Sequence, residues 1–321
     1  MKKILLFCDP GIDDAVAIMY AHFHPEIEIV GIVASYGNTT RDNAVRNTVY
    51  LLMHLGIDDV PVFSGAETPF RGEEPKVHEE IHGEYGLGTI NVSKHINLEP
   101  FENFFDVIDL IKTNINDLTI VTTGRLTSIA SLCIFYPNLM KEMKEIIVMG
   151  GAFFAPGNIT PIAEANFHGD AVAANAIIQS RANITLIPLN VTNSVFISPQ
   201  IVNLISEATG DEIFKAIIDF YYKYYTEAVG EDLPGSPLHD VVAISSIVNP
   251  DLFMFRNYRV YVEHNQVLTI GATFPDIRPL ANLPAAPKHK VAVGVNSQQF
   301  VNDFIYTFTG DERIVRQAKP N

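Results

Sequence analysis

The chain has 321 residues, of which 47% are hydrophobic and 18% charged, enough apolar material for a large core and too much for a disordered or fibrous chain. Its formal charge of −15 would repel phosphate backbones, which points away from nucleic acid and towards a neutral ligand or a bound cation. The two cysteines, Cys8 and Cys133, are too few for a disulfide scaffold or a cysteine-based zinc cluster.

At the N-terminus the apolar stretch Ile4–Cys8 is too short for a signal peptide and Asp9 ends it. No run approaches the roughly 18 apolar residues of a membrane span. The expectation is a soluble protein of the reducing cytoplasm, with no membrane partner.

In chain order, Lys3–Cys8 reads as a buried strand and Asp13–His22 as a helix, then Ile27–Ser35 as a strand and Asp42–Leu55 as a helix. Strands follow at Leu118–Thr122, Glu145–Met149 and Ile184–Pro188, with helices at Val107–Thr113, Ser128–Phe135 and Asp170–Ser180. Strand alternating with helix predicts right-handed βαβ units in a largely parallel sheet covered on both faces. In such a sheet ligands bind beyond the carboxyl ends of the strands, so polar motifs that follow a strand carry the functional interest.

The later part is more helical. Helices are predicted at Pro199–Ala208, Asp211–Val229 and His239–Val248, the last after a turn at Leu233–Pro237. Phe255–Glu263 and Val267–Ala272 alternate like antiparallel strands, and Lys290–Val295 precedes a closing helix from Ser297. With no repeat and no Gly/Ser/Pro linker, residues 1–321 are expected to form one α/β domain with an open, mostly parallel but mixed sheet.

The strongest chemical signal is D-P-G-I-D-D at residues 9–14, between the first strand and the first helix. Crowded carboxylates repel one another unless a cation or ligand offsets them, and hard divalent cations take oxygen ligands. Helix capping explains one or two of Asp9, Asp13 and Asp14, and all three less well. S-P-L-H-D at 236–240 places His239 and Asp240 where a turn meets a helix, and P-G-N-I-T-P-I-A-E-A-N at 156–166 offers Asn158, Glu164 and Asn166 to hydroxyl groups. T-T-G-R-L-T-S at 122–128 ends a strand, where free carbonyls can coordinate or a turn and N-cap can form. Each of these alone is compatible with a capped helix or a surface loop.

Together they resemble the nucleoside hydrolase family, the calcium-dependent inosine/uridine-preferring ribohydrolases. The family fingerprint D-x-D-P-G-x-D-D is met by F-C-D-P-G-I-D-D, followed in family order by Y-G-N at 36–38, H-G-E-Y-G-L-G at 82–88, T-G-R-L-T at 123–127, M-G-G at 149–151, G-N-I-T-P-I-A-E-A-N at 157–166 and L-H-D at 238–240. The resemblance implies the Rossmann-like nucleoside hydrolase fold and one calcium ion per subunit. Asp9, Asp14, Asp240 and the main-chain oxygen of Thr123 would hold it. Asp9 would also be the general base for the water that attacks the anomeric carbon, with inversion. Asp13, Asn38, Asn158, Glu164 and Asn166 match residues that bind the ribose hydroxyls and favour an oxocarbenium-like transition state. His239 matches the acid that assists departure of the base. A homodimer or homotetramer is the usual assembly.

Two positions depart from the family pattern. Asn190 replaces a common acid in N-V-T at 190–192, and Phe7 stands where the first aspartate is usual. Phe7 motivates a second reading, a catalytically weak nucleoside- or ribose-binding relative. A Mg2+-dependent aspartyl phosphatase also uses paired aspartates after a first strand. That chemistry wants an acid two residues past the nucleophile, where this chain has Gly11. With no Trp in the chain, a purine-stacking tryptophan pair is impossible, and His82 with His239 resembles the branch that accepts uridine, cytidine or inosine. Of Tyr221, Tyr222, Tyr224 and Tyr225 only some can face one way on a helix, with core packing as the ordinary role. Tyr225 and Glu227 are taken as base-pocket candidates.

Overall fold

Strand β1 (Lys2–Cys8) is the hinge of the architecture, because its two faces feed two separate cores. The structure, a computed structural model, describes residues 1–94, 96, 98, 101–230, 233–278 and 287–318. On one face Ile4, Leu6 and Cys8 join a core with helices Ile12–Phe23, His239–Val248 and Ser297–Thr309. On the other, Leu5 and Phe7 join a core with helices Val107–Asn114, Thr127–Phe135 and Ala171–Gln179. Successive side chains of a strand point to opposite faces, so a continuous apolar run becomes a strand buried on both sides.

Beyond β1 come β2 (Ile27–Ala34), β3 (Val62–Ser64), β4 (Leu118–Thr122), β5 (Glu145–Met149) and β6 (Ile184–Ile187). Phe196–Ile197 (β7) and Ser236–Pro237 (β8) form a small antiparallel ribbon. Last are β9 (Phe253–Val262), β10 (Thr273–Pro275) and β11 (Lys288–Val295). The main sheet has nine strands in the order β10-β9-β11-β6-β5-β4-β1-β2-β3. From β11 to β3 every neighbouring pair is parallel, and β9 and β10 add an antiparallel edge. The predicted mixed sheet, mostly parallel and flanked by helices, is therefore the fold.

The order holds a switch point. From β1 the chain runs outward through β2 and β3, then returns to place β4 on the other side of β1 and continues to β5 and β6. Crossovers on the two sides cover opposite faces, which leaves a crevice beyond the carboxyl ends of β1 and β4. Asp9 follows β1 and Thr123 follows β4.

One predicted strand is corrected. Val267–Ala272 is mostly a turn, and the strand lies further on at β10, with Thr273 opposite Val262. Alternation misled there because Val267 and Leu268 are 88% and 92% exposed and face no core. Gly271, at φ 79°, turns the chain back, its N–H donating to the Glu263 carbonyl. The short helices Glu79–His82 and Ala165–Gly169 had no periodic signal at their length.

Phe7 lies 2% exposed in the core beneath helix Thr127–Phe135, level with Val33 and Thr122 on the neighbouring strands. Restoring the family acid by Phe7→Asp should therefore destabilise the protein by at least ~3 kcal/mol, the cost of a lost aromatic, with a buried unpaired carboxyl added. Urea denaturation measures this; unchanged stability would mean that the position opens onto a polar pocket.

Candidate active site

The D-P-G-I-D-D segment carries the chain from β1 into helix Ile12–Phe23, with Asp13 and Asp14 in its first turn. Asp14 does cap the helix, accepting from the Gly11 N–H at 3.4 Å, so part of the capping explanation holds. Asp9 and Asp13 lie outside it. Asp9, Asp13, Asp14 and Asp240 are all buried, and Asp9 is packed tightly enough that neighbouring residues must be glycine. A Cβ on Gly124 would sit 2.8 Å from Asp9 Oδ1, and one on Gly37 would collide with Oδ2.

Hydrogen bonds join the acids across long stretches of chain. The Asn38 N–H donates to Asp9 Oδ2 at 3.0 Å, and its Nδ2 reaches Asp9 Oδ1 at 3.3 Å and Asp14 Oδ2 at 3.0 Å. Thr123 Oγ1 donates to Asp14 Oδ1 at 2.7 Å, while the Thr123 carbonyl accepts from Asn166 Nδ2 at 2.5 Å. Oxygens of Asp13, Asp14 and Asp240 lie within 4.8 Å of one another. Burial first, then the charge of Asp14, raises the Asp9 carboxyl well above its ordinary range, with Arg125 pulling it back. Burial and then Asp14 push Asp13 up to about 7, and burial, Asp13 and Asp14 raise Asp240.

Asp13 and Asp240 open on a cavity of about 330 Å³, within the ordinary range for a small-molecule site. Glu164 borders it while capping helix Ala165–Gly169, accepting from the N–H groups of Asn166, Phe167 and Gly151. Exposed Asn158 joins it, its Oδ1 taking the Ala165 N–H at 2.9 Å. Two buried histidines complete the wall. His82 Nδ1 accepts from the Ile12 N–H at 3.1 Å, which leaves Nε2 to carry the ring proton. His239 Nδ1 meets Thr192 Oγ1 at 2.8 Å. Burial lowers His82 to about 3 and His239 to about 4, so both rings are neutral at pH 7.

A model of the inosine-uridine preferring nucleoside hydrolase family matches residues 4–302 of the chain. The chain belongs to this family. It is accordingly a hydrolase of ribonucleoside N-glycosyl bonds. It is 33% identical over 302 residues to the pyrimidine-specific ribonucleoside hydrolase RihB of Escherichia coli, covering 93% of this chain and 94% of that protein. It is 32% identical over 277 residues to a probable uridine nucleosidase of Oryza sativa subsp. japonica, covering 85% of each. Among solved structures it resembles a purine-preferring ribonucleoside hydrolase from Gardnerella vaginalis at 30% identity and TM-score 0.88, covering 99% of this chain and 100% of that one. A plant nucleoside hydrolase gives the same TM-score at 29% identity, covering 97% of this chain and 99% of that one.

Within this nucleoside hydrolase the cavity draws together Asp13, Asn38, Thr123, Asn158, Glu164, Asn166, His82, Tyr225, His239 and Asp240 from the sequence candidates. Asp9 and Asp14 sit directly behind, on Asn38 and Thr123. Glu227 is corrected: it lies exposed against Lys223 and does not border the cavity. The lining positions of helix Glu212–Val229 are Tyr221, Tyr224, Tyr225 and Ala228, one helical stripe, and Glu227 falls off it. Tyr221 stacks on His82 with ring centroids 5.6 Å apart, a pairing that the sequence concealed among four tyrosines. Arg125, buried inside T-G-R-L-T, was read only as part of a turn. Its burial beside an acid is not legible from spacing.

A hard cation fits this set. Asp13 Oδ1 is buried without a hydrogen-bond partner, and the surrounding donors are carboxylate and carbonyl oxygens. With Asp13 raised to about 7, a proton and a cation compete for the same oxygens below that pH. With Asp9 and Asp240 raised as well, calcium affinity measured by calorimetry should thus fall by at least roughly tenfold for each unit that pH drops below 7. An affinity constant from pH 6 to 8 would remove Asp13 from the cation's surroundings.

Proposed function

We propose that this nucleoside hydrolase is a calcium-dependent N-ribohydrolase of the inosine/uridine/cytidine type, acting with inversion and with Asp9 as general base. The observation that carries the reading is the crowd of buried aspartates at the β1–β4 switch point, with two buried histidines bordering the same cavity. Asp9, Asp14, Asp240 and the Thr123 carbonyl would hold the ion. Bound calcium would make a water more acidic. Asp9 takes the proton of the attacking water, its carboxylate fixed by two N–H groups of Asn38. Asp13, Asn38, Asn158, Glu164 and Asn166 bind and orient the ribose hydroxyls. His239 is the acid for the departing base; because burial keeps its resting ring neutral, it must take up a proton in the nucleoside complex before it can give one. His82, oriented by the helix N–H of Ile12, offers its Nε2 proton to the base from the tyrosine side.

The uridine and pyrimidine names carried by relatives at 32–33% identity support the pyrimidine side of this preference. The purine-preferring structural relative makes purine ribosides the contrary outcome of the same assay. We read residues 1–321 as one catalytic domain, supported by a sheet continuous from β10 to β3. A cytoplasmic homodimer or homotetramer accords with two buried, unpaired cysteines and with Phe105, Ile134 and Phe135 exposed together, the two phenylalanine rings in contact. Phe7 packs in a core and does not border the cavity, which favours the hydrolase over the weak-binder reading.

Release of reducing sugar from uridine, cytidine, inosine and adenosine, with calcium and then with a chelator, tests the reading. Calcium-dependent release that favours the first three is expected; binding without release would return the protein to the class of binders. Asp9→Ala should lower turnover by roughly 10²–10⁴-fold in a folded protein, and turnover surviving intact would remove Asp9 as base. His239→Ala should slow uridine by roughly 10²-fold and a p-nitrophenyl riboside far less, because that leaving group needs no proton. Equal losses on both would take His239 out of the acid role.

A further inference from the structure

Arg125 is the one lysine or arginine bordering the cavity among the described residues, in a site that also buries Asp9, Asp13, Asp14, Glu164 and Asp240. It lies just past β4, after Thr123 and Gly124, and its side chain is 5% exposed. One guanidinium nitrogen, Nη1, donates to Asn166 Oδ1 at 2.5 Å and lies 3.5 Å from Asp9 Oδ2. The chain makes room for it. A Cβ on Gly169 would lie 2.4 Å from Arg125 Cδ and 2.5 Å from Nε.

The contact with Asn166 decides how that amide faces. Asn166 Nδ2 donates to the Thr123 carbonyl at 2.5 Å and lies 3.3 Å from that of Met149, while Oδ1 takes the guanidinium. Reversing the amide would set its N–H groups against the guanidinium and its oxygen against two carbonyls. All three contacts would become repulsive. Arg125 therefore holds the amide in the one orientation that ties down Thr123, and faces the Asp9 carboxylate with the same nitrogen. A planar guanidinium with several donors suits this bridge, and a lysine ammonium matches it less well.

We propose that Arg125 is a positioning residue of the hydrolytic site, acting on the reaction and on cation binding through Asp9 and through the Asn166–Thr123 link. The proposal rests on the reading above for the roles of Asp9 and Thr123. It adds a residue that does not itself touch the reacting atoms. A buried cation near a cation site would by simple repulsion weaken binding, so its removal would tighten it. Positioning predicts the opposite sign.

Arg125→Met keeps the apolar stem and removes charge and donors; Arg125→Lys keeps the charge and loses the fork. Calorimetric titration of the chelator-treated protein with calcium alone should show affinity reduced about 10–100-fold in Arg125→Met and partly restored in Arg125→Lys. With uridine at saturating calcium, kcat should fall by a similar factor while KM stays within about threefold, which a merely loosened fold would not produce. In calcium affinity, Asn166→Ala combined with Arg125→Met should lose clearly less than the sum of the two single losses, because the two share the link to Thr123. Unchanged or tightened calcium binding in Arg125→Met, or fully additive losses in the double variant, would overturn the proposal. Should no nucleoside be cleaved by the native enzyme, the calcium titrations still decide the role of Arg125, and Arg125→Lys serves if Arg125→Met does not fold.

Discussion

Carboxylates do not gather in a protein interior without something to hold them there, and that constraint organises this molecule. Asp9, Asp13, Asp14 and Asp240 are buried together, with Glu164 across the same cavity. Burial and mutual repulsion both favour their protonated forms. Around them the chain supplies what offsets negative charge. The Asn38 amide joins Asp9 to Asp14, the Thr123 hydroxyl donates to Asp14, and Arg125 stands beside Asp9. Backbone N–H groups satisfy Glu164. Asp13 Oδ1 is left without a partner, which is where a cation adds most.

The sheet explains why the crowd forms at this place. Strand order reverses between β1 and β4, so the loops after these two strands diverge and leave a crevice. Asp9 and Thr123 enter it from adjacent strands, and helix His239–Val248 brings Asp240 from much further along the chain. Glycines at 37 and 124 let backbone approach Asp9 closely. The carboxylate is thereby surrounded by main chain and kept from water.

The two histidines that border the cavity serve a different purpose. His82 and His239 are kept neutral by burial, each with Nδ1 occupied, and Tyr221 backs His82. The cavity lining thus combines negative charge with rings that carry polar tips. That combination suits a ligand with a hydroxyl-rich half and a flat heteroaromatic half, as a ribonucleoside has. Membership of the nucleoside hydrolase family agrees with it.

Much of this was legible in the amino-acid sequence. Apolar runs gave β4 and β5 with their boundaries, and local polar motifs gave the aspartates, His239, Asn158, Glu164 and Asn166, while Asn38, His82 and the roles came from the resemblance to the family. These signals are local: side-chain alternation, helical period and the chemistry of neighbouring residues. The tertiary structure alone decided which face each position serves. Phe7, one strand residue away from the cysteine before Asp9, turns into a core and leaves the cavity, although the motif made it look like part of the site. Glu227, two residues from a lining tyrosine, points to Lys223. Arg125 became visible only when folding set it against Asp9 and Asn166, residues 116 positions before it and 41 after it in the chain. Periodicity fixes an element and its apolar side. Desolvation and charge pairing depend on segments brought together from across the chain, and no local pattern records them.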